Sequence, residues 1–482
     1  MKNHGDLRAL IRSMTGPEKR YFKLNASRNG KSGTDQYMML FDALDKDKIL
    51  KWEKGKIPAV TAAYLYSSVL RCLDTFHEKN SINSKIDRQI KHGTVLYNRG
   101  LNKQALVLFN KVEIQAQQQQ DFTRLQSIYW YLRSILAMNV EPTNSSLTMK
   151  QVLERNLHAA KELELIARLH FVQHEFQQTV AKAGTVTEKM LAELKVLFDS
   201  EAMQEVNDQS GFFCQIAANH IKSQYYLLSN DIDGGFKQGK KVFDLCYSHR
   251  TLLQERGRMM IASANNYLMR CIRAEEYDEM KRVLEILEKE KSKDVSVEMI
   301  RLETYYSNLL SYHIVTEQFN NPELLVKVEK DLNEHGTIMN QTFLMYIFSL
   351  CSQYSFYGKD FRGAIKWINL FLNHENRASF TKNLSIAYDY RLLIYYEQGK
   401  LELIESLLNA NDKQQDSQNE FPLLRNALRG FLRNELNHGN QHVQNLTVLK
   451  AALNDMRSHN TEMEAFEFFP FDEWVNTKLS GS

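Results

Sequence analysis

The sequence predicts an all-α chain, an α-α superhelix of stacked helical hairpins with a repeat of roughly forty residues. Three observations predict it. After the breaker cluster Tyr357-Gly358-Lys359-Asp360, the residues Phe361, Ala364, Ile365, Ile368 and Phe371 fall at the three-and-four spacing of a helix with one buried face. The same turn-then-apolar opening returns at Phe236, Tyr277, near Asn321, at Phe361 and at Leu401. Finally, the six prolines sit near places where the periodic pattern starts or stops, and 20 glycines are few for 482 residues.

In chain order, three regions are expected. Residues 1–95 form a basic N-terminal helical module. It opens with a stripe of Leu7, Leu10, Ile11 and Met14, and Thr15-Gly16-Pro17-Glu18 then reads as a capping box with proline in the first turn of a second helix. A short helix over Tyr37–Leu44 and a long apolar one after Pro58 follow, with a partner from Ser81 to Asn98. Residues 96–410 carry the hairpins, with turns at Glu141-Pro142-Thr143-Asn144 and Ala183-Gly184-Thr185. Residues 411–482 hold further helices and an acidic aromatic tail.

A hairpin alone cannot bury its apolar face, so neighbours must stack. The pattern Gly358-Lys359-Asp360-Phe361-x-x-Ala364 has copies at Phe236-x-x-Gly239, Tyr277-x-x-Met280 and Tyr97-x-x-Gly100-Leu101-x3-Ala105. On these residues the chain resembles tetratricopeptide-type helical repeats over roughly residues 95–410. Its spacing is longer than the family's thirty-four residues, and the Trp-Leu-Gly signature is absent. The resemblance implies a concave groove that binds peptides or protein segments, and it implies no chemistry. The opening LRALIRSMTGPEKRYFKL also resembles the start of an uncharacterised bacterial family, with which no function comes.

Composition narrows the setting. Five widely separated cysteines without CxxC spacing read as buried reduced thiols, and the start MKNHGDLRALIRSM lacks the apolar core of a signal peptide. The longest apolar run is far short of a membrane span, so a cytoplasmic location without membrane contact is expected. The net charge of +3 hides an asymmetry: residues 1–100 carry nineteen Lys and Arg against ten Asp and Glu, and the rest forty-two against forty-eight. A split of this kind suits an anionic partner or attraction between the two ends of one chain.

No phosphate loop, dinucleotide fingerprint, nucleophile elbow or HExxH motif occurs, and no catalytic, cofactor or metal site is expected. His170 and His174, four apart beside Glu175, have a metal-ligand spacing without an identifiable third ligand, and hydrogen bonding is the simpler role. His438 and His442 flank a loop glycine. The expected function is a non-catalytic scaffold or adaptor that binds a protein or peptide on its concave face. Asn219, Asn265 and Asn308 recur in AAN, SAN and YSN, forty-six and forty-three residues apart, and asparagine can hydrogen-bond a ligand backbone without reading its sequence. The alternative is a nucleic-acid-associated regulator using Lys19, Arg20, Lys23, Arg28 and Lys31 on phosphates.

In the tail, Phe466, Phe468, Phe469, Phe471 and Trp474 are too apolar to stay solvated, and residues 462–479 are expected to pack on the last helices as a cap. The five acids Glu462, Glu464, Glu467, Asp472 and Glu473 would alternatively draw the tail to the basic module or to a second molecule.

Overall fold

The structure, a computed structural model, describes residues 4–28, 34–46, 59–78, 81–138, 147–183, 185–292, 294–336, 339–374, 381–412, 421–437, 441–456, 462, 465–466 and 468–480. Among the described residues every regular element is helical. The chain divides into two compact units, Met1–Met260 and Ile261–Ser482.

The first unit opens with α1 (His4–Ser13), α2 (Gly16–Arg28), α3 (Thr34–Asp45) and α4 (Ala59–Glu78). Leu7 and Ile11 of α1 and Met14 just after it close with Phe22, Phe41, Leu65 and Val69 into a small core. The capping box at the start of α2 is formed: the Thr15 amide donates to the Glu18 carboxylate at 2.6 Å, and the Glu18 amide to Thr15 Oγ1 at 3.4 Å. Next come α5 (Ile82–Asn98), α6 (Asn102–Gln118), α7 (Phe122–Leu136) and the long α8 (Met149–Ala183). The N-terminal half of α8 shares a core with α5 to α7 around Phe109, Ile128, Leu132 and Val152. Its C-terminal half turns Leu165, Leu169, Val172 and Phe176 onto α9 (Glu188–Phe198), α10 (Glu201–Glu205) and α11 (Phe212–Leu228). Helix α12 (Ile232–Ser248) pairs with α11.

The division between the units falls within α13 (Gly257–Arg273). The second unit continues through α14 (Tyr277–Lys289), α15 (Val295–Val315), α16 (Pro322–His335), α17 (Gln341–Tyr357), α18 (Phe361–Leu372), α19 (Thr381–Glu397) and α20 (Leu401–Asp412). It closes with α21 (Pro422–Asn437), α22 (His442–Met456) and α23 (Phe471–Ser480). Helices pack mainly on their chain neighbours, and α15 also packs on α17, the first helix of the next hairpin.

One turn recurs through the chain. Gly100, Gln120, Asn230, Glu275, Glu317, Lys359 and Gly399 all have left-handed backbones, with φ between 48° and 74°. At each of them two consecutive amides fold back onto the preceding helix: Lys359 donates to the Phe356 carbonyl at 2.9 Å and Asp360 to the Ser355 carbonyl at 2.8 Å, and the other six repeat this pattern. This is the Schellman closure. At six of the seven, the residue after the left-handed one directly precedes the next helix. Asp121, Asp231 and Asp360 then cap that helix by accepting from the amides of Arg124, Gly234 and Gly363. From Asn230 to Gly399 the closures recur every 40–45 residues.

Two boundaries differ from the sequence reading. Helix α12 starts at Ile232, a turn before Phe236, because the Asp231 cap draws Gly234 and Gly235 into the first turn rather than leaving them in a loop. Helix α20 extends to Asp412, past the boundary at residue 410 expected for the hairpins. The turn expected at residues 141–144 lies outside the described residues, as does Gly184. No helix among them is long and apolar enough to cross a membrane.

Candidate functional site

The sequence singled out one asparagine in each of α11, α13 and α15. Asn219 is buried in α11, Asn265 is half-buried in α13, and Asn308 is 4% exposed in α15. The structure brings the last two together, with Asn308 Nδ2 donating to Asn265 Oδ1 at 3.0 Å and to the Thr304 carbonyl at 2.8 Å. Both amide protons of Asn308 are therefore engaged inside the chain.

Buried polar residues mark several of the following helices as well: Ser307 on α15, Ser349, Ser352 and Gln353 on α17, Ser385 and Asp389 on α19, Arg425 and Arg429 on α21. Asp389 accepts from Arg425 Nε at 3.3 Å and Arg429 Nε at 3.0 Å, and Arg425 also bonds Ser385, which ties α19 to α21. Sequence reasoning missed this network. Its signal is a pair of arginines four apart within the otherwise apolar stripe of Leu424, Leu428, Phe431 and Leu432.

The C-terminal segment lies on the same helices. Phe468, Phe469, Phe471 and Trp474 are buried, and Phe466 is half-buried. The Phe469 ring meets Phe356 and Tyr357 of α17 and Tyr390 of α19, while Phe468 meets Phe371 of α18 and Tyr390. Trp474 packs between Tyr396 of α19 and Phe431 of α21. Polar contacts fix the segment's register. Gln353 Nε2 donates to the Phe468 carbonyl at 2.7 Å, and Trp474 Nε1 and Lys478 Nζ both reach the Glu397 carboxylate at 2.7 Å. At its start the buried Glu462 carboxylate accepts from the Leu423 and Leu424 amides, an acid placed where the amides at the start of α21 lack partners within the helix.

In the N-terminal module Lys19 pairs with Asp45 at 2.7 Å and Lys23 with Asp42 at 2.6 Å, so both lysines are neutralised by α3. Arg20 is exposed on α2, and Lys31 and the side chain of Arg28 lie outside the described residues. His170 and His174 are exposed on α8, Glu175 is half-buried, and among the described residues no group of three or more His, Cys, Asp or Glu is placed to hold a metal. His442 Nδ1 lies 2.8 Å from the Glu435 carboxylate, and His438 is outside the described residues. All five cysteines are buried and none is in a disulfide, and burial pushes the thiols of Cys214 and Cys271 up to about 12.

The class the described residues define is an all-α chain of helical hairpins closed by left-handed turns. No family model matches the chain, and no curated protein or solved structure matches it either.

Proposed function

We propose that the chain is a non-catalytic cytoplasmic scaffold, a tetratricopeptide-like superhelix that takes a segment of a partner protein on the face built by the first helices of successive hairpins. One observation carries this reading: the chain's own C-terminal segment is received by α17 and α19 through a glutamine on its backbone carbonyl and aromatic rings around its phenylalanines. A surface that holds one aromatic segment in this way has the chemistry to hold another. The buried thiols, none of them in a disulfide, agree with a reducing setting.

Photo-crosslinking residues placed at Met269 on α13 and Tyr346 on α17, both 47% exposed, test it. Capture in cells of the same partner segment from both positions, and none from a control at the exposed Glu285 on α14, is the expected result. Equal capture from Glu285, or none from either first-helix position, would sink the proposal. The alternative of a nucleic-acid-associated regulator draws on the exposed Arg20. It loses the contribution of Lys19 and Lys23 to their partners on α3, and a mobility shift that weakens steeply with salt would revive it.

A further inference from the structure

In the first unit, α6, α7, α8 and the loop over residues 207–211 enclose a cleft of about 560 Å³. That size lies in the range of small-molecule sites, roughly 300–1,000 Å³. Phe122, Leu125 and Tyr129 give it an apolar wall, and Arg155 and His158, one turn apart on α8, also line it. A chain of hydrogen bonds, buried where Tyr129 meets Glu113, orients the arginine. Gln117 Nε2 donates to the Tyr129 hydroxyl at 3.2 Å, that hydroxyl donates to Glu113 Oε1 at 3.0 Å, and Arg155 Nη1 donates to the same oxygen at 2.7 Å.

Glu113 is 1% exposed, so its charge is satisfied only from within this chain, whereas Arg155 keeps 39% of its side chain exposed at the cleft. A guanidinium held by one nitrogen presents the rest of its planar fork, the geometry that matches a carboxylate in two parallel bonds. His158 stands edge-on to Phe122 at 6.0 Å. Glu154, the acid on the rim, is 63% exposed and has Lys150 Nζ 3.8 Å away.

The cleft is preformed. The Gly211 amide donates to Glu162 at 3.0 Å and the Phe212 amide to Gln120 Oε1 at 2.7 Å, which pins the loop to α8 and to the α6–α7 turn. A Cβ at Gly211 would lie 2.6 Å from the Glu162 carboxylate, so a larger residue there would have to push that carboxylate aside. Gln120 itself is held at φ 48° in the Schellman turn.

We propose that this cleft binds a carboxylate carried on an apolar body, with the carboxylate on Arg155 and the body against Phe122, Leu125 and Tyr129. A peptide C-terminus and a free acylated amino acid share that chemistry. The site is independent of the hairpin face argued above and needs no partner there.

The test uses the full chain, with calorimetry and ligand-observed NMR on three probes: N-acetylphenylalanine, its C-terminal amide, and a tripeptide ending in a free C-terminal phenylalanine. The acid is expected to bind at least about tenfold more tightly than the amide, the share a charge-assisted pair supplies. Ser210→Trp, which fills the rim, should abolish binding of the acid, and Arg155→Gln should lower its affinity to that of the amide. Because Arg155→Gln strands Glu113, the double variant Arg155→Gln/Glu113→Gln is measured beside it, with a thermal transition to show that each is folded. Tripeptide binding as tight as the small acid identifies a chain terminus as the ligand, and binding of the small acid alone identifies a free acid. Equal affinity for acid and amide, no binding of any probe at about 10 mM, or binding untouched by Ser210→Trp would overturn the proposal.

Discussion

Replacing Phe469 by alanine probes the seat of the C-terminal segment. The ring is fully buried, with centroids of Tyr390 at 4.5 Å, Phe471 at 4.9 Å, Phe356 at 5.3 Å and Tyr357 at 5.9 Å. Truncating a buried phenylalanine costs about 3–5 kcal/mol, the spread reflecting how far the site collapses. Three of these neighbours lie on the helices α17 and α19, which other contacts hold in place, so little collapse is expected and the loss should exceed about 3 kcal/mol. For a unit of this size each kcal/mol lowers the melting temperature by roughly 2–4 °C, so a fall of roughly 6–20 °C is expected in the transition of the second unit. Differential scanning calorimetry measures the fall. Hydrogen exchange then locates it, with faster exchange expected in α17 and α19 and no change in α5 or α6. Phe466→Ala, at a half-buried ring, is the matched control and should cost less than Phe469→Ala. A loss below about 1 kcal/mol for Phe469→Ala, or equal losses for the two, would show that the segment is not held by its rings.

Three further predictions address other elements. Gly93→Ala places a Cβ 2.7 Å from the tip of the fully buried Phe109 ring, and overpacking of about 1–3 kcal/mol should outweigh the helix propensity gained, up to about 1 kcal/mol, giving a lower urea midpoint. Lys359→Gly relieves a left-handed lysine at φ 59° in a Schellman turn and should raise stability by about 1 kcal/mol, whereas the same change at a right-handed helical position such as Lys330 should lower it. Burial acts to raise the Glu435 carboxyl, but hydrogen bonds from Tyr396, Asn445 and His442 outweigh it and hold the group below the usual carboxylate range. A depressed acid contributes stability that is present above its unfolded value, about 4.3, and is lost as pH falls through the folded one. Denaturation midpoints across pH 3 to 6, a span chosen around that value, should therefore show the gap between the chain and Glu435→Gln closing as pH falls, and a constant gap would refute the assignment.

The all-helical class was legible because apolar stripes such as Leu7, Ile11 and Met14 bury one face, and because Thr15 and Glu18 spell a capping box in four residues. The turns were legible as points where the apolar pattern restarts, before Tyr277 and near Asn321 as well as after Gly358, but their backbone geometry was not. At Glu275 and Glu317 an ordinary acid adopts the left-handed backbone, which composition does not announce. The site residues were harder to read. The period placed Asn265 and Asn308 at matching points of successive hairpins, yet their partnership depends on the distance between two helices, which periodicity does not encode. Arg155 left no local signal, because its anchor Glu113 and its neighbour Tyr129 lie on other helices, forty-two and twenty-six residues away. The same holds for the reach of Phe468 to Gln353, a contact spanning 115 residues.

The seven left-handed closures have a consequence for how such a chain changes over generations. The closing bonds run from backbone amide to backbone carbonyl, and the residue at the bend is variously glycine, glutamine, asparagine, glutamate or lysine. A hairpin copied by duplication would keep its geometry through much side-chain drift, since the closing bonds need only backbone and glycine at the bend lowers the strain without being required. The ancestry of such an array would fade from its letters while persisting in its bends, and two descendants could be matched by the spacing of left-handed residues long after alignment of their sequences had failed.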